Sequence, residues 1–391
     1  MTLNSSITGN DGITIDSIFT ETYYELVNLS KEYVLFLVIG IIKKSGIYAL
    51  LKSEFVSVED IVRNLQFIPK SAKPISWILS YLKESDFLEL RKSGEISYFK
   101  MRKDLPVIDS RRIVNRMLDL DRAVRPSNLL LEKAAKGYPD FFRGSKTAVD
   151  ILFTEDKMKL WTEYFSNKNS GYVVYNALAT SGLLKWLPDK DNLQILEIGG
   201  GAGSAAVFFL REMHRRGELS RINEYIFSDV SPILVRAGNN LIMEQLADDH
   251  MVTLNTLDFN RSFLSHGIKA SSLDAVFGVN SIHAAENIIR SLQYIYEVLK
   301  PGGVIVLSEC VRSKRNSLLF QELIFNLLDN YTDVELSDAR PMSGFLDIES
   351  WKRIFDKVNL ENVEIITNMG HWSERTNPDE EVFAMTIKGE K

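Results

Sequence analysis

The feature that most constrains this chain is a short apolar run, Gln194-Ile-Leu-Glu-Ile198, that passes directly into Gly199-Gly-Gly-Ala-Gly203 and then into a helical stretch from Ser204 to Glu212. A strand can bend this tightly into a helix where side chains are missing, because glycine takes left-handed backbone conformations at little steric cost. The missing side chains also let a ligand approach the amides at the helix start. That geometry suits a nucleotide, although dinucleotide-binding turns use a similar glycine cluster. Glu197 separates the two cases: the pattern is Glu-x-Gly-x-Gly-x-Gly rather than Gly-x-Gly-x-x-Gly. A carboxylate here repels a pyrophosphate and can pair, directly or through water, with an ammonium group.

After Leu193, short aliphatic runs alternate with helical periodicity, the mark of βαβ units and a mostly parallel sheet. Glu224-Tyr-Ile-Phe-Ser-Asp229 reads as the second strand, and it ends in an acid where doubly wound nucleotide folds bind ribose hydroxyls. The alternative for Asp229 is to cap the next helix, which Ser231 can do instead. Thr253 to Phe259 reads as a third strand and a loop, with Asp258 placed to accept from an adenine amino group and Phe259 to cover the ring; a merely solvated acid is the other account. Leu273 to Asn280 is the fourth strand and delivers Ser281-Ile-His283 to the carboxyl edge of the sheet. Val298-Leu-Lys-Pro-Gly-Gly303 followed by Val304 to Glu309 reads as a helix, a turn and a further strand.

Ahead of this region, Ile18 to Leu51 has helical spacing that loosens at Gly46. Ser57-Val-Glu-Asp60 makes a capping box for a helix through Leu65. A third helix from near Ser71 tolerates Pro74 in its first turn and carries Ile75, Ile78, Leu79 and Leu82 on its apolar side. Phe87 to Leu90 and Ile96 to Phe99, joined by a Lys-Ser-Gly turn, read as a hairpin. Three helices and a hairpin make a winged-helix arrangement, which serves either DNA binding or dimerisation. The would-be recognition helix offers only Lys73 and Lys83 as cations beside Trp77 and Tyr81, and the chain carries a net charge of −6. Dimerisation is therefore expected, with no nucleic-acid partner. The divisions expected are 1–106 for this front domain, 107–184 for an aromatic-rich helical connector, and 185–391 for the ligand-binding domain.

Cys310 is the only cysteine, which excludes an intrachain disulfide. The longest apolar run, Tyr33 to Ile42, is far short of the ~20 residues of a membrane span. Met1 to Thr14 lacks the basic-then-apolar order of a secretory signal. A cytoplasmic protein with no membrane partner is expected.

Taken in order, the segments from Leu193 to Ile387 resemble the class I S-adenosylmethionine-dependent methyltransferase superfamily. Leu257-Asp-Phe259, Asn280-Ser-Ile-His-Ala-Ala285, Leu299-Lys-Pro-Gly-Gly303 and Ser308-Glu309 are similar to the methyltransferase domains of polyketide synthases and their freestanding relatives. The front half resembles the dimerisation domain of small-molecule O-methyltransferases. The resemblance implies an α/β fold, a Rossmann-like domain with a mostly parallel seven-stranded sheet preceded by a mainly α winged-helix dimerisation domain, and a homodimer. It implies S-adenosylmethionine as cofactor, held by Glu197, Gly199, Gly201, Gly203, Asp229, Asp258, Phe259 and Asn280, and a small-molecule acceptor.

Methyl transfer requires an aligned acceptor and a base for its proton. His283 is the natural base, since histidine titrates near neutrality. Glu309, at the next strand end, can fix its tautomer and stabilise the imidazolium; a structural histidine is the alternative. The resemblance implies the same His-Glu pair. His283 is followed by Ala284-Ala285 rather than the Asp-Trp of plant-type O-methyltransferases, which argues against a flavonoid-like acceptor. His214, His250, His266 and His371 show no ligand spacing, and no metal is expected. The segment Phe320 to Phe345 reads as a lid, and Tyr164, Tyr172, Phe325, Asn326, Arg340 and Met342 are the candidate pocket residues, Arg340 as a clamp for a carboxylate or phosphate. The expected activity is O-methylation of a hydroxyl or enol of a specialised metabolite. The alternatives are C-methylation of an acidic carbon next to a carbonyl in a polyketide-like or keto-acid substrate, and a winged-helix DNA-binding regulator.

Overall fold

Local signals set the front of the chain, as seen in a computed structural model that describes residues 13–106, 109–246, 250–371 and 381–391. Helix Glu21–Ser45 stops where Gly46 takes φ +89°, and the chain restarts as Ile47–Ser53 at an angle of 87°. The single run expected from Ile18 to Leu51 is thus two helices. Among the described residues, no single helix is long and apolar enough to cross a membrane. Helix Val58–Asn64 opens on the expected capping box, with Ser57 and Asp60 each accepting the other's backbone N–H. Helix Ala72–Glu84 buries Ile75, Ile78, Leu79 and Leu82, and also Trp77 and Tyr81. The two aromatic side chains of the would-be recognition helix therefore face the interior: the Trp77 indole donates to Glu322 at 3.1 Å and the Tyr81 hydroxyl to the Lys31 carbonyl at 3.0 Å. Strands β1 (Leu88–Ser93) and β2 (Ile96–Met101) form the antiparallel hairpin.

The contacts gather into two compact units: Glu21–Tyr164 with Leu318–Thr332, and Met1–Thr20 with Phe165–Ser317 and Asp333–Lys391. The boundaries expected after residues 106 and 184 do not mark them. The connector's long helix Arg125–Phe142 packs on Glu21–Ser45, whereas Ser170–Trp186 packs on the sheet. The expected lid is divided as well. Its first part joins the helical unit, where the Tyr138 hydroxyl donates to the Leu323 carbonyl at 2.8 Å. There Glu322, 1% exposed, accepts from Trp77, from the Tyr331 hydroxyl at 2.7 Å and from the Leu319 amide at 2.9 Å.

The other unit is built on β3 (Leu193–Glu197), β4 (Ile222–Asp229), β5 (Val252–Thr256), β6 (Leu273–Val279), β7 (Leu299–Cys310), β8 (Glu361–Thr367), β9 (Gly370–His371) and β10 (Ala384–Glu390), in the order β5-β4-β3-β6-β7-β10-β8-β9. The first five strands of this order run parallel; β10 is antiparallel to β7 and β8. The expected mostly parallel seven-stranded sheet is present, and the two-residue β9 extends its edge. β6 is buried at every position, as a central strand covered on both faces must be. One face carries the core of Leu196, Ile198, Val276, Leu292, Trp351 and Phe355; the other packs the rings of Phe209, Tyr225 and Phe277 together. The strand order reverses at β3, between β4 and β6, which places a crevice at the carboxyl ends of these strands.

Candidate active site

The glycine bend follows β3 as expected. Gly199, Gly201 and Gly203 have φ of 60°, 57° and 85°, and helix Ser204–Arg215 starts directly after them. A Cβ on Gly199 would lie 2.6 Å from Ser281 Cβ, and one on Gly203 would lie 2.8 Å from the Gly238 backbone. At Gly201 a Cβ would meet nothing within 4 Å, so this residue marks the open side of the bend.

Two acids frame it. Asp229, at the end of β4, accepts the Gly201 amide at 3.0 Å and the Ser231 amide at 2.8 Å. Burial raises its carboxyl, opposed by these bonds from Ser231 and Gly201. Capping of helix Pro232–Gln245 falls to Ser231 and not to Asp229. Glu197 is 1% exposed and accepts the Tyr225 hydroxyl at 2.6 Å. Burial pushes its carboxyl up to about 8, against the pull of the Tyr225 bond and with the Asp229 charge adding to the rise. Tyr225 was not identified from the sequence; only the register Ile195↔Tyr225 brings it onto Glu197's face.

Asp258 closes a local turn, accepting the Asn260 amide at 2.9 Å, and its own amide donates to His266 Nε2 at 3.3 Å. Phe259 packs against the core, and its ring edge is 3.8 Å from the position of a Gly199 Cβ, so it abuts the bend. Asn280 follows β6 at φ +46°, and its Oδ1 accepts the Cys310 amide at 2.6 Å. Its side chain also bonds the Tyr172 hydroxyl; burial holds that hydroxyl above its usual range, opposed by the Asn280 bond, with the Glu309 and Glu197 charges adding to the rise.

His283 sits on the 3-10 turn Ile282–Ala284, with Nδ1 2.7 Å from Glu309 Oε2. The pairing follows from the sheet, since β6 and β7 are parallel neighbours with Val279 opposite Ser308. The two side chains are 8% and 0% exposed. Ser281, a residue to which the sequence assigned no role, joins the bend to this pair: its amide donates to Glu309 Oε1 at 3.3 Å and its hydroxyl to the Ile198 carbonyl at 3.3 Å.

The pocket candidates separate. Tyr172, buried, packs against Phe165 and Tyr175. Tyr164, Phe325 and Asn326 belong to the helical unit, where the first two pack on the Trp161 ring. Met342 packs against the sheet core. Arg340, expected as a clamp for a carboxylate or phosphate, instead turns its guanidinium to the chain's own carbonyls. It is 0% exposed, and its Nη atoms donate to the carbonyls of Ala285 at 2.7 Å and His283 at 2.6 Å.

These residues fit S-adenosylmethionine: an open glycine bend for close backbone approach, an aromatic edge beside it, and two carboxyls at the strand ends whose oxygens can accept from ammonium and ribose hydroxyl groups. Comparison with known proteins agrees. Residues 196–305 match the family described as "Methyltransferase domain". The polyketide synthase PksR of Bacillus subtilis (strain 168) is 27% identical over 260 residues, covering 64% of this chain and 10% of its own length. The non-reducing polyketide synthase atr1 of Stereocaulon alpinum is 25% identical over 304 residues, covering 76% of this chain and 11% of its own. The chain thus spans about a tenth of the length of these curated relatives. Among solved structures, the CurJ carbon methyltransferase shares the fold with a TM-score of 0.77 at 18% identity, covering 96% of this chain and 95% of that one. An O-methyltransferase family 2 protein from Planctomyces limnophilus, solved with apigenin, gives a TM-score of 0.52 at 14% identity, covering 95% and 96%. The glycine bend, the sheet order and the methyltransferase-domain match over residues 196–305 together support a class I S-adenosylmethionine-dependent methyltransferase.

Proposed function

We propose that this chain transfers a methyl group to an acidic carbon next to a carbonyl of a polyketide-like or keto-acid substrate. The observation that carries the reading is the buried contact between His283 Nδ1 and Glu309 at the ends of neighbouring strands. A carboxylate on Nδ1 keeps the proton there and makes Nε2 the basic nitrogen. A proton flanked by a carbonyl is acidic enough for an imidazole to remove as the acceptor is aligned. Nε2 takes that proton, the electron pair it leaves on carbon forms the new carbon–carbon bond, and Glu309 balances the imidazolium. S-adenosylmethionine, when bound, would supply the electrophilic methyl group, its methyl carbon–sulfur bond breaking as the sulfonium leaves as the neutral thioether S-adenosylhomocysteine. In this reading Glu197, Gly199, Gly201, Gly203, Asp229, Asp258, Phe259 and Asn280 hold the cofactor, and Ser281 ties that site to the base.

Carbon is favoured over oxygen by the polyketide synthases among the relatives and by a fold more like a carbon methyltransferase than like the apigenin-bound O-methyltransferase. The test is incubation with a β-keto thioester and cofactor labelled in its methyl carbon, followed by NMR of the product. A carbon-bound label is expected; an oxygen-bound label overturns the reading in favour of O-methylation of a hydroxyl or enol. In the same assay His283→Ala is expected to lose roughly 10²–10⁴-fold in rate while calorimetry still registers the cofactor. The helices and hairpin of residues 1–106 serve, in the same reading, as the dimerisation module of a homodimer.

A further inference from the structure

His283 has slender support of its own. It stands on one 3-10 turn between β6 and helix Ile288–Val298, and a turn of this kind has poorer hydrogen-bond geometry than an α-helix and leaves carbonyls past its end to be satisfied from elsewhere. The chain supplies a partner from far along its sequence. Arg340 reaches the carbonyl of His283 itself with Nη2 and the carbonyl of Ala285 with Nη1, so its planar fork spans the turn. The arginine is in turn held: its amide donates to Ser337 Oγ at 3.1 Å, and the Ser337 amide donates to the Arg340 carbonyl at 2.8 Å. The same segment is tied down again at its start, where the Glu335 amide donates to the Glu286 carbonyl at 2.8 Å and Asn287 donates to the Glu335 carboxylate at 2.8 Å. At its far end the Phe345 ring lies 4.7 Å from the His283 ring, inclined at 48°.

Three groups thus act on one histidine in different ways. Glu309 fixes the ring through Nδ1, Phe345 packs on its face, and Arg340 holds the main chain from which it projects. A guanidinium kept at 0% exposure is costly unless its donors are used, and here two of them are spent on the turn that carries the base. The geometry points to Arg340 as a positioning residue for methyl transfer, one that sets the direction of His283 Nε2 by gripping the carbonyls of His283 and Ala285. It touches the reaction through His283 only, so the inference rests on His283 being the base.

The test uses the full chain with Arg340→Lys, Arg340→Gln, His283→Ala and the double variant His283→Ala/Arg340→Lys. Melting temperature, cofactor affinity by calorimetry, and kcat and KM for methyl transfer are measured on each. Arg340→Lys keeps the buried charge but loses the fork; if Arg340→Gln does not fold, it carries the test alone. The expected result is a loss of roughly 10- to 100-fold in kcat, with KM and cofactor affinity within about threefold of the parent. In the His283→Ala background the same change is expected to lower the residual rate by less than about twofold, because there is no base left to orient. A kcat within about twofold of the parent in Arg340→Lys overturns the inference. So does an equal loss with and without His283, which means that Arg340 supports the fold at large. Full activity of His283→Ala by itself is a different result, and it sinks the base assignment together with everything resting on it.

Discussion

A carboxyl group shut away from water and bonded to a phenol, as Glu197 is to Tyr225, holds its proton well into the neutral range. Its folded-state value of about 8 lies above the ordinary 4.5, so between these limits the native protein keeps a proton that the unfolded chain has released. Its contribution to stability is therefore full below the ordinary value and is lost as pH rises through the folded one. Glu197→Gln removes that dependence. Urea melts at pH 5 and pH 8 are expected to show the variant gaining on the parent at the higher pH, with a ceiling of roughly 3–4 kcal/mol. An unchanged difference between the two conditions would show that Glu197 is not held protonated. At this scale the sequence pointed to Glu197, Asp229, Glu309 and His283 because each lies at or just past the end of an apolar strand, and strand ends are legible. It did not reveal Tyr225 or Ser281 as their partners, nor Arg340 as a support for the His283 turn, because strand register and loop path decide which side chains meet.

The bend between β3 and helix Ser204–Arg215 separates two uses of glycine. Gly203 has φ +85° and sits 2.8 Å, at an added Cβ, from the Gly238 backbone of the neighbouring helix. Gly201 has φ +57° and open space at that point. Gly203→Ala must shift helix against helix, and a loss of about 2–4 kcal/mol is expected in thermal or urea melts. Gly201→Ala carries only the backbone strain of about 1 kcal/mol, yet it puts a methyl group on the open side and is expected to lower cofactor affinity tenfold or more, on the order of 1.4 kcal/mol. Calorimetry and melting on the pair check both, and equal behaviour would refute the distinction. Elements with strong local signals were readable in advance: the capping box at Ser57, the hairpin, the bend and the parallel strands. The break at Gly46 was legible only as a loosening, since glycine allows but does not compel a change of direction. The destination of Leu318–Thr332 was not legible at all, because the bond from Trp77 to Glu322 joins residues 245 positions apart.

At the scale of the molecule, the proposed dimer predicts a particle of twice the 44.5 kDa chain mass in light scattering; a single-chain mass at micromolar concentration would dismiss it. The chain also crosses between its two units at residues 20/21, 164/165, 317/318 and 332/333. A fragment of residues 165–391 would retain the sheet and His283 with Glu309, but its Leu318–Thr332 loop would lose the partners of Leu323 and Glu322, the hydroxyl of Tyr138 and the indole of Trp77. This fragment is expected to melt below the full chain and to be cut by protease within that loop first; resistance there would mean that the loop folds without its partners. The interruption bears on how such a protein can be recombined. A splice that trades only the front third for another sequence leaves a returning thread with a carboxylate seeking an indole that is no longer supplied. Heritable exchange would therefore favour cuts outside residues 21–332, or paired changes in both stretches, and grafted versions that ignore the return passage are the ones to watch for insolubility.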